Sequence, residues 1–159
     1  MSAHRILTDD NDRLDFLGRL PQLYQRFGVV IHAYCLMDTH YHLELETPAG
    51  HLSRSIQWLN ETYASSFNRR HGRSGYLFQG RFHSVVIEAE SHLSALTRYI
   101  HLNPVRAGLA ARPWKYVWSS CRAYLGMEQR PLWLTTSSVL TRFGRTAVYW
   151  FSVNETAGM

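Results

Sequence analysis

The chain has 159 residues, 45% of them apolar and 13% aromatic, with a formal net charge of +5, which is enough material for one domain with a buried core. No run approaches the roughly 18 to 20 uninterrupted apolar residues of a membrane-crossing helix, and the start, Met1 to Asp10, turns acidic where a secretory leader needs its apolar stretch. Cys35 and Cys121 stand alone, without metal, redox or disulfide-framework spacing, so the expectation is a soluble, cytoplasmic protein that does not engage membranes.

The charge is unevenly spread. Residues 1–61 hold five Arg against eight acids, a net of −3, whereas residues 62–159 hold twelve Lys or Arg against four acids, a net of +8. From Ser91 to Met127 there is no carboxylate. Sixteen of the seventeen cations are Arg, the side chain whose planar fork suits phosphate and stacks on bases. A one-sided basic surface is the footprint of a polyanion binder, and nucleic acid is the expected partner.

In chain order, Asp9 to Arg26 places Leu14, Leu17, Leu20, Leu23 and Phe27 at helical spacing, with Asp9 and Asp10 as caps and Gly28 as the stop. Pro21 predicts a kink or break near Leu20. Val29 to Met37 and His40 to Glu46 are two strands of a hairpin turning at Asp38-Thr39. Leu52, Ile56, Leu59, Tyr63 and Phe67 mark an amphipathic helix ending near Gly72. Next comes a Gly-punctuated segment that interleaves Arg69, Arg70, Arg73 and Arg81 with Tyr76, Phe78 and Phe82. Such a composition grips single strands, with Arg on phosphates and rings under bases, although the aromatics serve equally well to pin the loop to the core. Phe82 to Ile87 is a strand, and a helix from Ser91 is predicted to stop near Asn103 because Pro104 follows. A short helix follows Trp118-Ser119-Ser120. A weak helical pattern at Leu140, Phe143, Val148, Tyr149 and Phe151 closes the chain. The order helix, strand, strand, helix, strand, helix predicts an α+β, ferredoxin-like antiparallel sheet whose opening strand is absent or vestigial.

Two segments carry chemistry. In His40-Tyr41-His42 the strand period of two sends both imidazoles to one face and Tyr41, Leu43 and Leu45 to the other. Taken alone, the pair more often packs or lies at a surface than binds metal. Tyr99 and Asn103 are one helical turn apart, on one face; by spacing alone Tyr99 is a packing residue beside Ile100. If that face turned toward the histidines, His40, His42 and Asn103 would make a three-ligand site for Mn²⁺ or, less readily, Mg²⁺. Tyr99 would then be a nucleophile whose target phosphate the ion polarises.

The runs Ile31-His32-Ala33-Tyr34-Cys35-Leu36-Met37, His40-Tyr41-His42, Phe67-Asn68-Arg69-Arg70-His71-Gly72, Leu77-Phe78-Gln79-Gly80-Arg81-Phe82 and Tyr99 to Leu109 resemble the REP-associated tyrosine transposases, relatives of the small single-tyrosine HUH transposases of insertion sequences. The resemblance covers about residues 6–126 and implies a HUH nuclease fold there, with residues 127–159 as a weakly helical extension. It implies that His40 and His42 bind the divalent ion with Asn103 as third ligand. It further implies that Tyr99 attacks single-stranded DNA beside a hairpin, leaving a 5′-phosphotyrosine and a free 3′-OH. The basic residues expected on DNA are Arg69, Arg70, Arg73, Arg81, Arg98 and Arg106. Related insertion-sequence enzymes are dimers, which leaves a homodimer open here.

Three departures stand out. Only Met1 to Thr8 precede the first helix, where related chains open with a strand; its loss would force the sheet to close the gap, to borrow a strand from another copy, or to fray. The turn before the histidines is Asp38-Thr39 instead of Pro-Asn. Glu44, on the His40 face, replaces an apolar position and is expected at the surface, with a metal-site carboxylate as the other option. Competing functions are a domesticated hairpin binder that does not cut and an unrelated metal-dependent phosphodiesterase, the latter disfavoured by Tyr99 and the Arg-rich half.

Overall fold

Helix α1 (Asp10–Phe27) begins where the Asp9 carboxylate accepts the Asp12 N–H at 2.8 Å and ends at Gly28, whose φ of 68° lets its N–H and that of Val29 return to the carbonyls of Tyr24 and Leu23. The helix runs through Pro21 as one element, so of the kink or break expected near Leu20 the break does not occur. Proline there leaves the Leu17 carbonyl without its usual donor, but Phe16, Leu20 and Leu23 are buried as one stripe on both sides of it, and that shared packing keeps the two halves in one helix. The structure, a computed structural model, describes residues 4–80, 82–87, 90–141 and 148–153.

After α1 come β1 (Val30–Leu36) and β2 (Tyr41–Glu46), antiparallel from Val30↔Glu46 to Leu36↔Tyr41 with a register shift between Ile31 and Ala33. The connecting turn is pinned from outside. Asp38 O accepts the N–H groups of Ile6 and Leu7 at 2.9 and 3.1 Å, and the Asp38 carboxylate pairs with Arg13 at 2.5 Å. Helix α2 (Leu52–Arg70) packs Ile56, Leu59, Tyr63 and Phe67 with the buried stripe of α1 against Tyr41, Leu43 and Leu45. Phe16 sits between Tyr41 and Tyr63, at ring-centroid distances of 4.6 and 5.2 Å.

β3 (His83–Ile87) leads to α3 (Glu90–Arg106), which lies on the opposite face and packs Ile100 with Ala33, Cys35, Met37 and Tyr116. The stop predicted at Asn103 does not occur. Pro104 takes away the N–H that would bond the Ile100 carbonyl, yet the next turn still forms, with Ala107 N–H donating to Asn103 O at 3.0 Å, and the helix is released at Gly108 with φ 74°. Arg106 is thereby carried one turn past Asn103. A 3-10 turn at Pro113–Lys115, α4 (Cys121–Tyr124) and α5 (Ser137–Thr141) follow. Backbone bonds from Leu36 to Trp118, Ser120 to Tyr34 and Thr135 to Ile31 cover the outer edge of β1, which hides it from other strands.

The sheet order is β1-β2-β4-β3, where β4 (Val148–Val153) pairs antiparallel with both neighbours: His42↔Ser152 on one side and His83↔Ser152 on the other. The weak helical pattern foreseen across Leu140 to Phe151 therefore resolves into α5 and a strand; Phe143 lies outside the described residues. Val-Tyr-Trp-Phe-Ser-Val is β-prone, and the slot between β2 and β3 offers backbone groups that need partners. The slot between β2 and β3 is filled from the far end of the same chain, by β4. The architecture is α+β, an antiparallel sheet with α1 and α2 on one face and α3 on the other. Among the described residues no helix is long and apolar enough to cross a membrane.

A chain ending at Thr141 should lose the bonds on both sides of β4. We expect its melting temperature to fall by about 6–12 °C, corresponding to roughly 3 kcal/mol or more, with loss of amide protection in β2 and β3 by hydrogen exchange. An unchanged melting temperature would show that β4 does not support the sheet.

Candidate active site on strand β2 and helix α3

The alternation of β2 divides its side chains as expected. Tyr41 is buried among α1 and α2, its hydroxyl donating to Asn60 Oδ1 at 2.6 Å, and burial pushes its phenol far above the ordinary range. His40 and His42 emerge on the α3 side with ring centroids 4.9 Å apart, edge to face. His42 is fully buried, and burial, joined by the charges of His40 and Arg106, pushes its pKa down to about 3. It is therefore a neutral imidazole at neutral pH, the form that ligates metals.

Helix α3 brings two more groups to this face. The Asn103 amide Nδ2 donates to His42 Nε2 at 2.9 Å, an orientation that puts the His42 proton on Nδ1. Tyr99, one turn earlier, lies edge-on to His42 with centroids 6.1 Å apart. Burial of Leu93 and Ile100 sets the rotation of the helix that presents Tyr99 and Asn103 together. Arg106 lies over the Tyr99 ring, its Cζ 4.0 Å from the centroid, and its Nη2 donates to Tyr99 O at 2.9 Å. His40, His42, Tyr99 and Asn103, identified from separate segments of sequence, thus lie in one place. Two imidazoles and an amide oxygen, available when the Asn103 amide turns over, form a donor set of mixed hardness suited to a divalent ion such as Mn²⁺.

Glu44 is not at the surface. It is 0% exposed, its Oε2 accepts from the Thr97 hydroxyl of α3 at 2.7 Å, and burial raises its pKa to about 8. The surface expectation came from polarity alone; α3 covers this face of β2. Two residues on, Glu46 Oε1 lies 2.6 Å from His32 Nε2, a buried pair not foreseen from sequence; His32 sits at the register shift between Ile31 and Ala33. His101 is also buried, with Nε2 2.7 Å from Ser120 Oγ, and burial lowers its pKa to about 4.

The arginines expected on DNA fall in two layers. Arg69, Arg70 and Arg73 stand at the end of α2, Arg98 and Arg106 on α3 across the sheet, and Arg81 lies outside the described residues. Arg69 and Arg98 are exposed, and Arg73 bonds Asn68 Oδ1 at 3.2 Å. Arg70 instead pairs with Asp9 at 2.7 Å and with Asp12. Asp12, despite burial that raises its pKa, is held below the carboxylate range by bonds from Thr8 and His71 and by Arg70. Asp9, Asp12 and His71 have cation-binding spacing, but the Arg70 guanidinium already bonds both carboxylates, so the cluster staples α1 to α2. In the Gly-rich loop Phe78 and Phe82 pack on the core while Tyr76 is 95% exposed.

A family model described as "Transposase IS200 like" matches residues 2–103. No curated protein and no solved structure matches the chain.

The raised pKa of Glu44 has a stability consequence in metal-free protein. The folded state keeps a proton that the unfolded chain releases above about pH 4.5, so Glu44 costs nothing below that pH and destabilises increasingly as pH rises toward about 8. His42 and His101, shifted down, act in the opposite sense below about pH 6.5. Between pH 6.5 and 8, stability should therefore fall by up to about 1.4 kcal/mol per pH unit, and in Glu44→Gln it should be flat. Thermal melts across this window in chelator provide the check, and parallel slopes in the two proteins would refute the assignment.

Proposed function

Since the chain belongs to the IS200-like transposase family, whose members act on DNA, we propose that it is a divalent-metal-dependent endonuclease and strand transferase of the single-tyrosine HUH type, cutting single-stranded DNA beside a hairpin. The observation that carries this reading is the convergence of Tyr99 and Asn103 from α3 on His42 of β2, with His40, the residue before the strand, beside it. The finer kinship with REP-associated transposases rests on the runs from Ile31 to Leu109, the catalytic domain being residues 1–126 with the remainder supplying β4.

In this reading the Tyr99 oxygen attacks the scissile phosphorus, a P–O bond to Tyr99 forms and the P–O3′ bond breaks. The phenolic proton leaves, and the departing 3′ oxygen takes one up, giving a 5′-phosphotyrosine and a free 3′-OH. A phenol with a pKa near 10 is a weak nucleophile at neutral pH. His40, His42 and Asn103 would hold a divalent ion, which when bound would supply the missing polarisation of the phosphate. The ring of Tyr99 is steadied by Arg106 above it and His42 beside it. Burial keeps His42 neutral and ready to ligate. Arg69, Arg73 and Arg98 take DNA phosphates, while Arg70 holds α1 to α2 and Arg106 holds the nucleophile.

Tyr99→Phe should abolish the covalent adduct seen on a denaturing gel with labelled hairpin strands and Mn²⁺, while hairpin affinity stays within about 1 kcal/mol. His42→Ala should also lose the adduct. Band shifts without an adduct in the native protein would instead identify a hairpin-binding protein that does not cut.

Arg69→Gln with Arg73→Gln should weaken hairpin binding at every sequence and reduce the salt slope by about 0.7 to 0.9 per lost phosphate contact. An unchanged slope would remove this end of α2 from the interface.

A further inference from the structure

A buried carboxyl beside the site has no part in the reaction just described. Glu44 is fully enclosed between β2 and α3, at a position where an apolar side chain would avoid the cost of desolvating a polar group. Its partner, Thr97, is itself 5% exposed and also reaches the Leu93 carbonyl at 3.0 Å. The Thr97–Glu44 bond therefore ties a fixed point of the helix to a fixed point of the strand.

Its location gives it a consequence for Tyr99. The hydrogen bonds that cross from α3 to β2 include Thr97 to Glu44 and Asn103 to His42. Thr97 and Asn103 are six residues apart, about 9 Å along a helix, and Glu44 and His42 are two residues apart, about 6.7 Å along a strand. Tyr99 lies between the two ties. Burial of Leu93 and Ile100 sets the rotation of the helix, and the two ties resist its sliding along β2. The Asn103 tie would open when its amide turns its oxygen toward a bound ion, and the Thr97–Glu44 bond would then still tie α3 to β2.

We propose that Glu44 is a positioning residue, which through Thr97 keeps helix α3 in register with strand β2 so that Tyr99 stays beside His42 when the Asn103 amide is engaged elsewhere. The inference rests on the assignment of Tyr99 as nucleophile and of Asn103 as ligand. A displacement of about 1 Å at a reacting atom is enough to cost up to about a hundredfold in rate, so loss of one tie has a measurable effect without unfolding the protein.

The test uses the full chain as Glu44→Leu, Thr97→Val, the double variant and Glu44→Gln, with a labelled hairpin single strand and Mn²⁺. Glu44→Leu and Thr97→Val should each slow single-turnover adduct formation by about tenfold or more, with unchanged hairpin affinity and no fall in melting temperature. The double variant should be no slower than either single one, and Glu44→Gln, which keeps an acceptor for Thr97, should restore most of the rate. Without metal or DNA, hydrogen exchange of α3 amides between Thr97 and Asn103 should speed up in Glu44→Leu and not in Glu44→Gln. A Glu44→Leu protein that reacts at the native rate, or one that loses rate only in proportion to its folded fraction, overturns the proposal. If the native protein forms no adduct, the nucleophile assignment fails by itself, and the exchange measurement still decides whether Glu44 holds the helix: unchanged α3 protection in Glu44→Leu refutes it.

Discussion

Strand β2 has to satisfy two opposite environments at once, and the rest of the molecule is arranged around that demand. Its odd-numbered residues Tyr41, Leu43 and Leu45 are fully buried against α1 and α2, and His42 and Glu44 are just as buried against α3. Side chains in a strand alternate with a period of two, so a slip of one residue would drive imidazole and carboxyl into the apolar core. The apolar face prevents the slip, because burying each of these large side chains contributes about 1.5–3 kcal/mol. Phe16 and Asn60 hold Tyr41, and Arg13 holds the turn at Asp38. The rigidity of the polar face is thus inherited from packing on the other side.

The polar face is costly to maintain and chemically useful for the same reason. Taking polar groups such as those of His42, Glu44, His32 and Glu46 away from water is costly unless each finds a partner. Asn103, Thr97 and the His32–Glu46 pairing supply those partners. Dehydration also leaves His42 unprotonated, and neutral imidazole is the form able to ligate a metal ion. A more stable sheet could be built with aliphatic residues here, and it would offer no such ligand.

Two irregularities complete the site. Helix α3 continues past Pro104 for a further turn, which brings Arg106 over the Tyr99 ring. Strand β4 enters between β2 and β3 from the far end of the sequence and pairs along the whole of β2, with Ser152 opposite His42 and Trp150 opposite Glu44. The strand that carries the histidines is therefore interior to the sheet, hydrogen-bonded along both edges. An interior strand frays less than an edge strand, and the imidazole positions gain from that.

What the sequence determined by itself was local and periodic: the Asp9 cap and Gly28 stop of α1, the hairpin around Asp38-Thr39, the division of His40 and His42 from Tyr41, and the spacing of Tyr99 and Asn103. Each depends on residues within one or two turns or one strand, where stereochemistry alone decides the outcome. Tertiary structure decided the rest. Pro21 and Pro104 were tolerated inside helices because packing on both sides outweighed one missing hydrogen bond. Val148 to Val153 became a strand because an unpaired slot existed elsewhere in the sheet. Arg70 was drawn to Asp9 and Asp12, some sixty residues away in sequence, and Glu44 went inside because α3 folds over it. No local pattern encodes these outcomes, since each depends on which groups distant parts of the chain leave without partners.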